Sequence, residues 1–180
     1  MSMIETALSV EQLKDNVSQL VAGQKILLSG TVYTARDAAH LRLCRLISEG
    51  KSLPFELKDS VIYFAGPTPT KNDGTIGSFG PTTSSRMDSF SPLLLDNGLL
   101  GMIGKGNRSQ AVIDSIIKNQ AVYFCAGGGL GALISKSILA LEEIAFPELG
   151  CESIKKLTIK DMPLIVGIDS SGESIFNRKV

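Results

Sequence analysis

No tryptophan occurs among the 180 residues, which removes the broadest platform for stacking a base or a sugar ring. Neither sign of charge prevails: 18 Lys and Arg stand against 18 Asp and Glu. A strong nucleic-acid binder carries a basic excess, so that class is set aside. No apolar run reaches the roughly 18 residues needed to span a membrane. Residues 1–20 lack the basic n-region and apolar h-region of a secretory signal. The three cysteines, Cys44, Cys125 and Cys151, form no Cys-x-x-Cys pair. An odd count without that pattern argues for reduced thiols and a cytoplasmic location. Three thiolates could hold a cluster with one open iron. Here one falls in a predicted helix, one in a predicted strand and one in a late loop. Their spacing is not ligand-like, so they read as buried structural thiols, and this chain has no predicted metal ligands.

What is present is apolar: 43% of residues are hydrophobic and 20% charged, with 18 glycines and a mean hydropathy of +0.18. That length fits one domain over residues 1–180 with a real core. Apolarity without net charge points to surface covered in a homo- or hetero-oligomer.

Helical spacing runs through residues 9–20, with Ser9 as cap. Lys25 to Tyr33 reads as a strand. Thr34 is the expected cap of a helix over Ala35 to Glu49, stopped by Gly50. A strand over Val61 to Ala65 precedes a polar loop, Thr68 to Gly74. Ser84 to about Leu95 reads as helix despite Pro92. Leu99 to Ile103 is a strand, Asn107 to Asn119 a helix, and Ala121 to Ala126 a strand ending in Gly127-Gly128-Gly129. Ile138 to Ile144 fits either state. Leu157 to Ile159 and Leu164 to Ile168 are late strands, and a frayed or docking tail starts near Ser170. Alternating elements followed by strands predict an α/β layered domain.

Four clusters could carry chemistry. In Thr34-Ala35-Arg36-Asp37-Ala38-Ala39-His40, Arg36 and His40 share a helix face. An Arg at a helix start gains nothing from the dipole unless an external anion joins it; the alternative is a solvated Arg over a packing His. In Gly80-Pro81-Thr82-Thr83-Ser84-Ser85-Arg86-Met87-Asp88 a turn precedes four hydroxyls, more than a cap needs, and Arg86. In Gly104-Lys105-Gly106-Asn107-Arg108-Ser109 two glycines flank a lysine at a strand end. The spacing of a nucleotide phosphate loop is missing. The triple glycine resembles a dinucleotide turn, but no acidic residue clearly follows at the ribose distance, so close backbone packing is preferred. Together these clusters offer cations, hydroxyls and N–H groups suited to a carboxylate or phosphate.

Assembled in order, these segments resemble the β subunit of the two-subunit class I iron–sulfur hydro-lyases, the fumarate hydratases and L-tartrate dehydratases. The matching stretches are Ser29 to His40, Tyr63 to Pro67, Gly80 to Asp88 and Gly104 to Ser109, and the similarity runs over most of the chain. It implies a swivelling β/β/α layered domain that closes over a [4Fe–4S] cluster held by a separate α subunit. It implies a small dicarboxylate substrate, with Arg36, Arg86 and Lys105 binding it and Thr82 as the catalytic base. These four positions match; Ser84-Ser85 replaces smaller residues found in some relatives. His40 lies in a matching stretch without an assigned role.

The chemistry suits the residues. Two carboxylates need cations; Arg offers a bidentate fork and Lys a point charge. The open iron would act as Lewis acid on the departing hydroxyl. A threonine hydroxyl is a poor base in water, so its alkoxide would need Arg86 and Lys105 beside it. The expected reaction is the hydration of fumarate to L-malate, with L-tartrate dehydration as the alternative. Two other readings stay open: a non-catalytic domain sensing a small organic anion, and a phosphate- or nucleotide-binding enzyme.

Overall fold

Ser9 does what its position predicts. Its hydroxyl accepts from Gln12 N while the Gln12 side chain accepts from Ser9 N, a reciprocal cap that starts α1, Val10–Asn16. In the computed structural model, which describes residues 5–127 and 131–177, a short strand β1 (Thr6–Ser9) precedes this cap. The chain continues through β2 (Lys25–Thr34), α2 (Asp37–Ser48), β3 (Val61–Tyr63), α3 (Ser91–Asp96), β4 (Gly101–Gly104), α4 (Gln110–Asn119), β5 (Val122–Cys125) and α5 (Gly131–Lys136). It ends in β6 (Ile138–Ala145) and the long β7 (Ile154–Ile168).

Strands β1 to β5 are parallel in sequence order. β7 then runs antiparallel to both β5 and β2. The sheet therefore closes on itself: β2, β3, β4, β5 and β7 form a barrel-like ring, with β1 and β6 attached outside that circuit. The α/β class agrees with the sequence reading, and the sheet is a closing ring.

Residues of opposite parity fill the two sides. Val61, Tyr63, Ile103, Val122 and Phe124 join Ile26, Leu28, Leu157 and Val166 in one cluster. Ile62, Met102 and Tyr123 join Leu43, Leu94 and Ile116 of the covering helices in a second. Burial on both faces explains why these strands read as continuous apolar runs.

Several boundaries differ from the sequence expectation. Thr34 caps no helix: it is the last residue of β2, and its hydroxyl accepts from Lys155 N of β7. The helix starts at Asp37, with Arg36 as N-cap. The stretch from Ser84 to Leu95 splits into a 3₁₀ turn, Ser84–Met87, and α3, because Pro92 suits only a first turn. α4 starts three residues late, where the Ser109 hydroxyl accepts from Val112 N. The two late strands are one; Asp161 takes a left-handed φ of 51° inside it, and its N–H is held by the Ser29 hydroxyl. The tail is not frayed through Asn177: Ser174 pairs back with Ile168. Gly128 and Gly129 lie outside the described residues. No helix among the described residues is long and apolar enough to cross a membrane.

Candidate functional site

The parallel strands β2, β3 and β4 end side by side, and their C-terminal extensions carry the residues of interest. Ligands of open α/β sheets gather at this end. β2 leads through Ala35 to Arg36. β3 leads through Phe64 and Ala65 to Gly66. β4 leads to Lys105. The segment from Pro81 to Ser84 threads between the last two: Pro81 bridges Ala65 and Thr83 bridges Lys105. Thr82 N donates to Phe64 O at 2.7 Å, and Ser84 N donates to Lys105 O at 2.9 Å. Neighbouring strands lie about 5 Å apart, so Thr82 and Lys105 stand on adjacent extensions.

Arg86, in the turn that follows, donates from Nε to Asp37 Oδ1 at 2.9 Å. The other oxygen of Asp37 faces Arg36 Nε at 4.0 Å. Arg36, Thr82, Arg86 and Lys105 thus share one end of the sheet. The Arg86 side chain is 54% exposed and that of Arg36 23%. Lys105 is exposed and Thr82 half-buried. Neither the Lys105 ammonium nor the Thr82 hydroxyl has a partner among the described residues.

Glycines make the approach possible. A Cβ on Gly66 would sit 2.7 Å from Cys151 O and 3.2 Å from Arg36 Cδ. One on Gly104 would collide with Ser84 Oγ and come 2.9 Å from the Phe64 ring. Gly106 has a φ of 81°, a conformation that glycine adopts without strain.

Beneath this rim lies a second polar group that sequence reasoning did not separate from it. Arg108 is 4% exposed. It donates to Asp88 Oδ1 at 2.7 Å and to Ser91 Oγ at 2.6 Å. Its guanidinium packs against the rings of Phe64 and Tyr123. Ser84 is equally structural: its hydroxyl accepts from Lys105 N at 3.0 Å and lies 2.9 Å from the Tyr123 oxygen. The Tyr123 oxygen is also 2.8 Å from Gly106 O. A carbonyl only accepts, so the tyrosine proton goes there and Ser84 supplies its own to the phenol. Burial holds the Tyr123 hydroxyl well above its usual pKa. Of the four hydroxyls in the Thr82 cluster, one therefore supports the Lys105 backbone.

His40 is fully buried. Its Nδ1 lies 2.9 Å from Arg36 O, so Nδ1 carries the proton and Nε2 the lone pair. Burial lowers its pKa to about 4, against the raising effect of that carbonyl bond. Asp37 went unnoticed in the sequence because an acid in a helix's first turn is commonplace.

No group of three His, Cys, Asp or Glu side chains among the described residues could hold a metal ion. Cys44 and Cys125 are half-buried, and burial raises both thiols. Cys151 is exposed, contrary to the expectation of a buried thiol. The described residues do not fit a cluster ligand set. A cavity of about 610 Å³ beside Ile47, Leu53, Phe55 and Asn97 lies by the C-terminal end of α2, away from Arg36.

Comparison with known proteins finds relatives over nearly the whole chain. The anaerobic class I fumarate hydratase of Escherichia coli (strain K12) is 40% identical over 173 residues, 95% of this chain and 32% of that protein. Fumarate hydratase 2 of Leishmania major is 36% identical over 171 residues, 94% of this chain and 30% of that protein. The chain thus spans about a third of these relatives. The L(+)-tartrate dehydratase subunit beta of Escherichia coli (strain K12) is 32% identical over 185 residues, 99% of this chain and 89% of that protein. A family model described as Fumarase C-terminus matches residues 2–179. With a match of that extent, the chain belongs to the fumarase C-terminus family.

Proposed function

We propose that this chain is the β subunit of an iron–sulfur-dependent hydro-lyase that interconverts fumarate and L-malate. One observation carries the reading: Arg36 and Arg86 face a single carboxylate, Asp37, while Lys105 and the Thr82 hydroxyl have no partner among the described residues on the neighbouring extensions. Arg36, Arg86 and Lys105 outnumber Asp37 and Glu152, which leaves an excess of positive charge at the open end of the sheet. A small dianion suits that excess.

In this reading each arginine takes a carboxylate through its terminal nitrogens, and Lys105 adds a point charge. Thr82 removes the proton from the carbon next to one carboxylate. Lys105 and Arg86 lower the cost of its alkoxide by proximity. The rim is exposed, so a cover must exclude water before chemistry. We assign that cover to an α subunit bearing a [4Fe–4S] cluster, against which this unit swivels as one domain over residues 1–180. Three free thiols suit a reducing cytoplasm.

L-Tartrate is the second reading. Identity leans toward fumarate, at 40% against 32–36% for tartrate dehydratase β subunits. Tartrate stays open because an L(+)-tartrate dehydratase subunit beta is similar over 99% of this chain. Co-expression with the candidate cluster subunit and anaerobic assay of fumarate, malate and tartrate decides between them. Oxygen-sensitive turnover that needs both chains supports the hydro-lyase. Dicarboxylate binding by this chain alone, with no turnover in the complex, would make it a sensor instead.

A further inference from the structure

Three buried side-chain atoms among the described residues lack a hydrogen-bond partner: Arg36 Nε, Asp37 Oδ2 and His40 Nε2. All three fall in one turn at the start of α2. Buried polar atoms are otherwise paired almost without exception, so three in one turn need a cause.

The backbone there is fixed. Arg36 O accepts from His40 N at 2.8 Å and from His40 Nδ1 at 2.9 Å. Ala38 N donates to Glu152 Oε1 at 3.3 Å. The side chain of Arg36 runs past Gly66, where a Cβ would lie 3.4 Å from its Nη1. What remains adjustable is the 4.0 Å gap between Arg36 Nε and Asp37 Oδ2. Opposite charges with an unmade hydrogen bond on each side are poised to close it. The other oxygen of Asp37 already holds Arg86 by Nε, and holding an arginine by Nε leaves both terminal nitrogens for a ligand.

We infer that Asp37 is a positioning residue: its carboxylate sets the spacing and orientation of Arg36 and Arg86, so that each presents its terminal nitrogens to one carboxylate of a dicarboxylate. Ligand binding closes the Arg36–Asp37 gap. This rests on the substrate-binding reading of the two arginines given above. The competing account is an ordinary first-turn acid, which stabilises the helix dipole slightly and has no coupling to Arg86.

A double-mutant cycle separates them, using the assembled two-subunit enzyme. Asp37→Asn, Arg86→Ala and the double variant are compared by kcat and KM for fumarate hydration. They are also compared by calorimetric Kd for succinate, which cannot be dehydrated. Asp37→Asn is expected to lower kcat/KM about 10–100-fold, mostly through KM, and to weaken succinate in parallel. Added to Arg86→Ala, it is expected to cost clearly less than it does alone, because only its hold on Arg36 is left to lose. Should Asp37→Asn fold poorly, Asp37→Glu keeps the charge and displaces it by one methylene; its smaller loss must also shrink beside Arg86→Ala. Full additivity, or unchanged succinate binding in the Asp37 variants, overturns the inference while leaving the dicarboxylate reading intact. Wild-type succinate binding in Arg86→Ala overturns both.

Discussion

Arg86 and Arg108 come from the two Gly-bounded polar clusters and look interchangeable in the sequence, yet their surroundings are opposite. Arg86 is half out in solvent and tethered by one bond to Asp37. Arg108 is buried, paired with Asp88, bonded to Ser91 and packed against two rings. The rim residue keeps hydrogen-bonding capacity for something outside the chain; the buried one has spent its capacity within it. A basic residue in a glycine-rich motif is therefore a binding candidate only when its acid partners leave donors unused.

The sharpest way to break this contrast is to truncate each side. Arg108→Ala leaves the Asp88 carboxylate held only by Ser109 N and is expected to cost about 3 kcal/mol in urea unfolding. Thr82→Ala is expected to lower kcat about 10²–10⁴-fold with KM little changed, and to leave the unfolding midpoint within about 0.5 kcal/mol. Near-wild-type turnover would remove Thr82 from the mechanism.

His40 gives a pH test of the same turn. It is the only histidine, and its pKa falls from 6.5 unfolded to about 4 folded. The folded state favours the neutral ring, so this contribution is complete above pH 6.5. It is lost as pH falls toward 4, by at most about 3 kcal/mol. Urea midpoints between pH 7 and 4 should show that slope, and His40→Asn, which keeps a donor near Nδ1, should flatten it. At the small end, Ser84→Ala leaves Lys105 N without its acceptor and is expected to cost about 1–2 kcal/mol of stability.

Much of the molecule was legible in the sequence because local signals and tertiary demands agree. Ser9 and its reciprocal cap, the apolar runs of β3 to β5 and the strand-end position of Lys105 are examples. What was not legible depends on distant partners. Thr34 carries a cap's chemistry, but β7 claims its hydroxyl through Lys155 N. β7 reads as two strands because Asp161 and Pro163 break its alternation, although Asp161 is accommodated by Ser29 across the ring. Ring closure pairs Lys25 with Ile165, a separation no periodicity reports. At the site, the clusters named the exposed cations, but only the folded chain separates Arg108 from them and brings Asp37 between Arg36 and Arg86.

The central claim is that Arg36 and Arg86 together hold a dicarboxylate at the open end of the sheet. Calorimetric titration of succinate into the assembled enzyme, wild type against Arg36→Met/Arg86→Met, tests it most directly. The account predicts that binding weakens by about 100-fold or more while the urea midpoint stays within about 1 kcal/mol. Wild-type affinity in a folded double variant would contradict it.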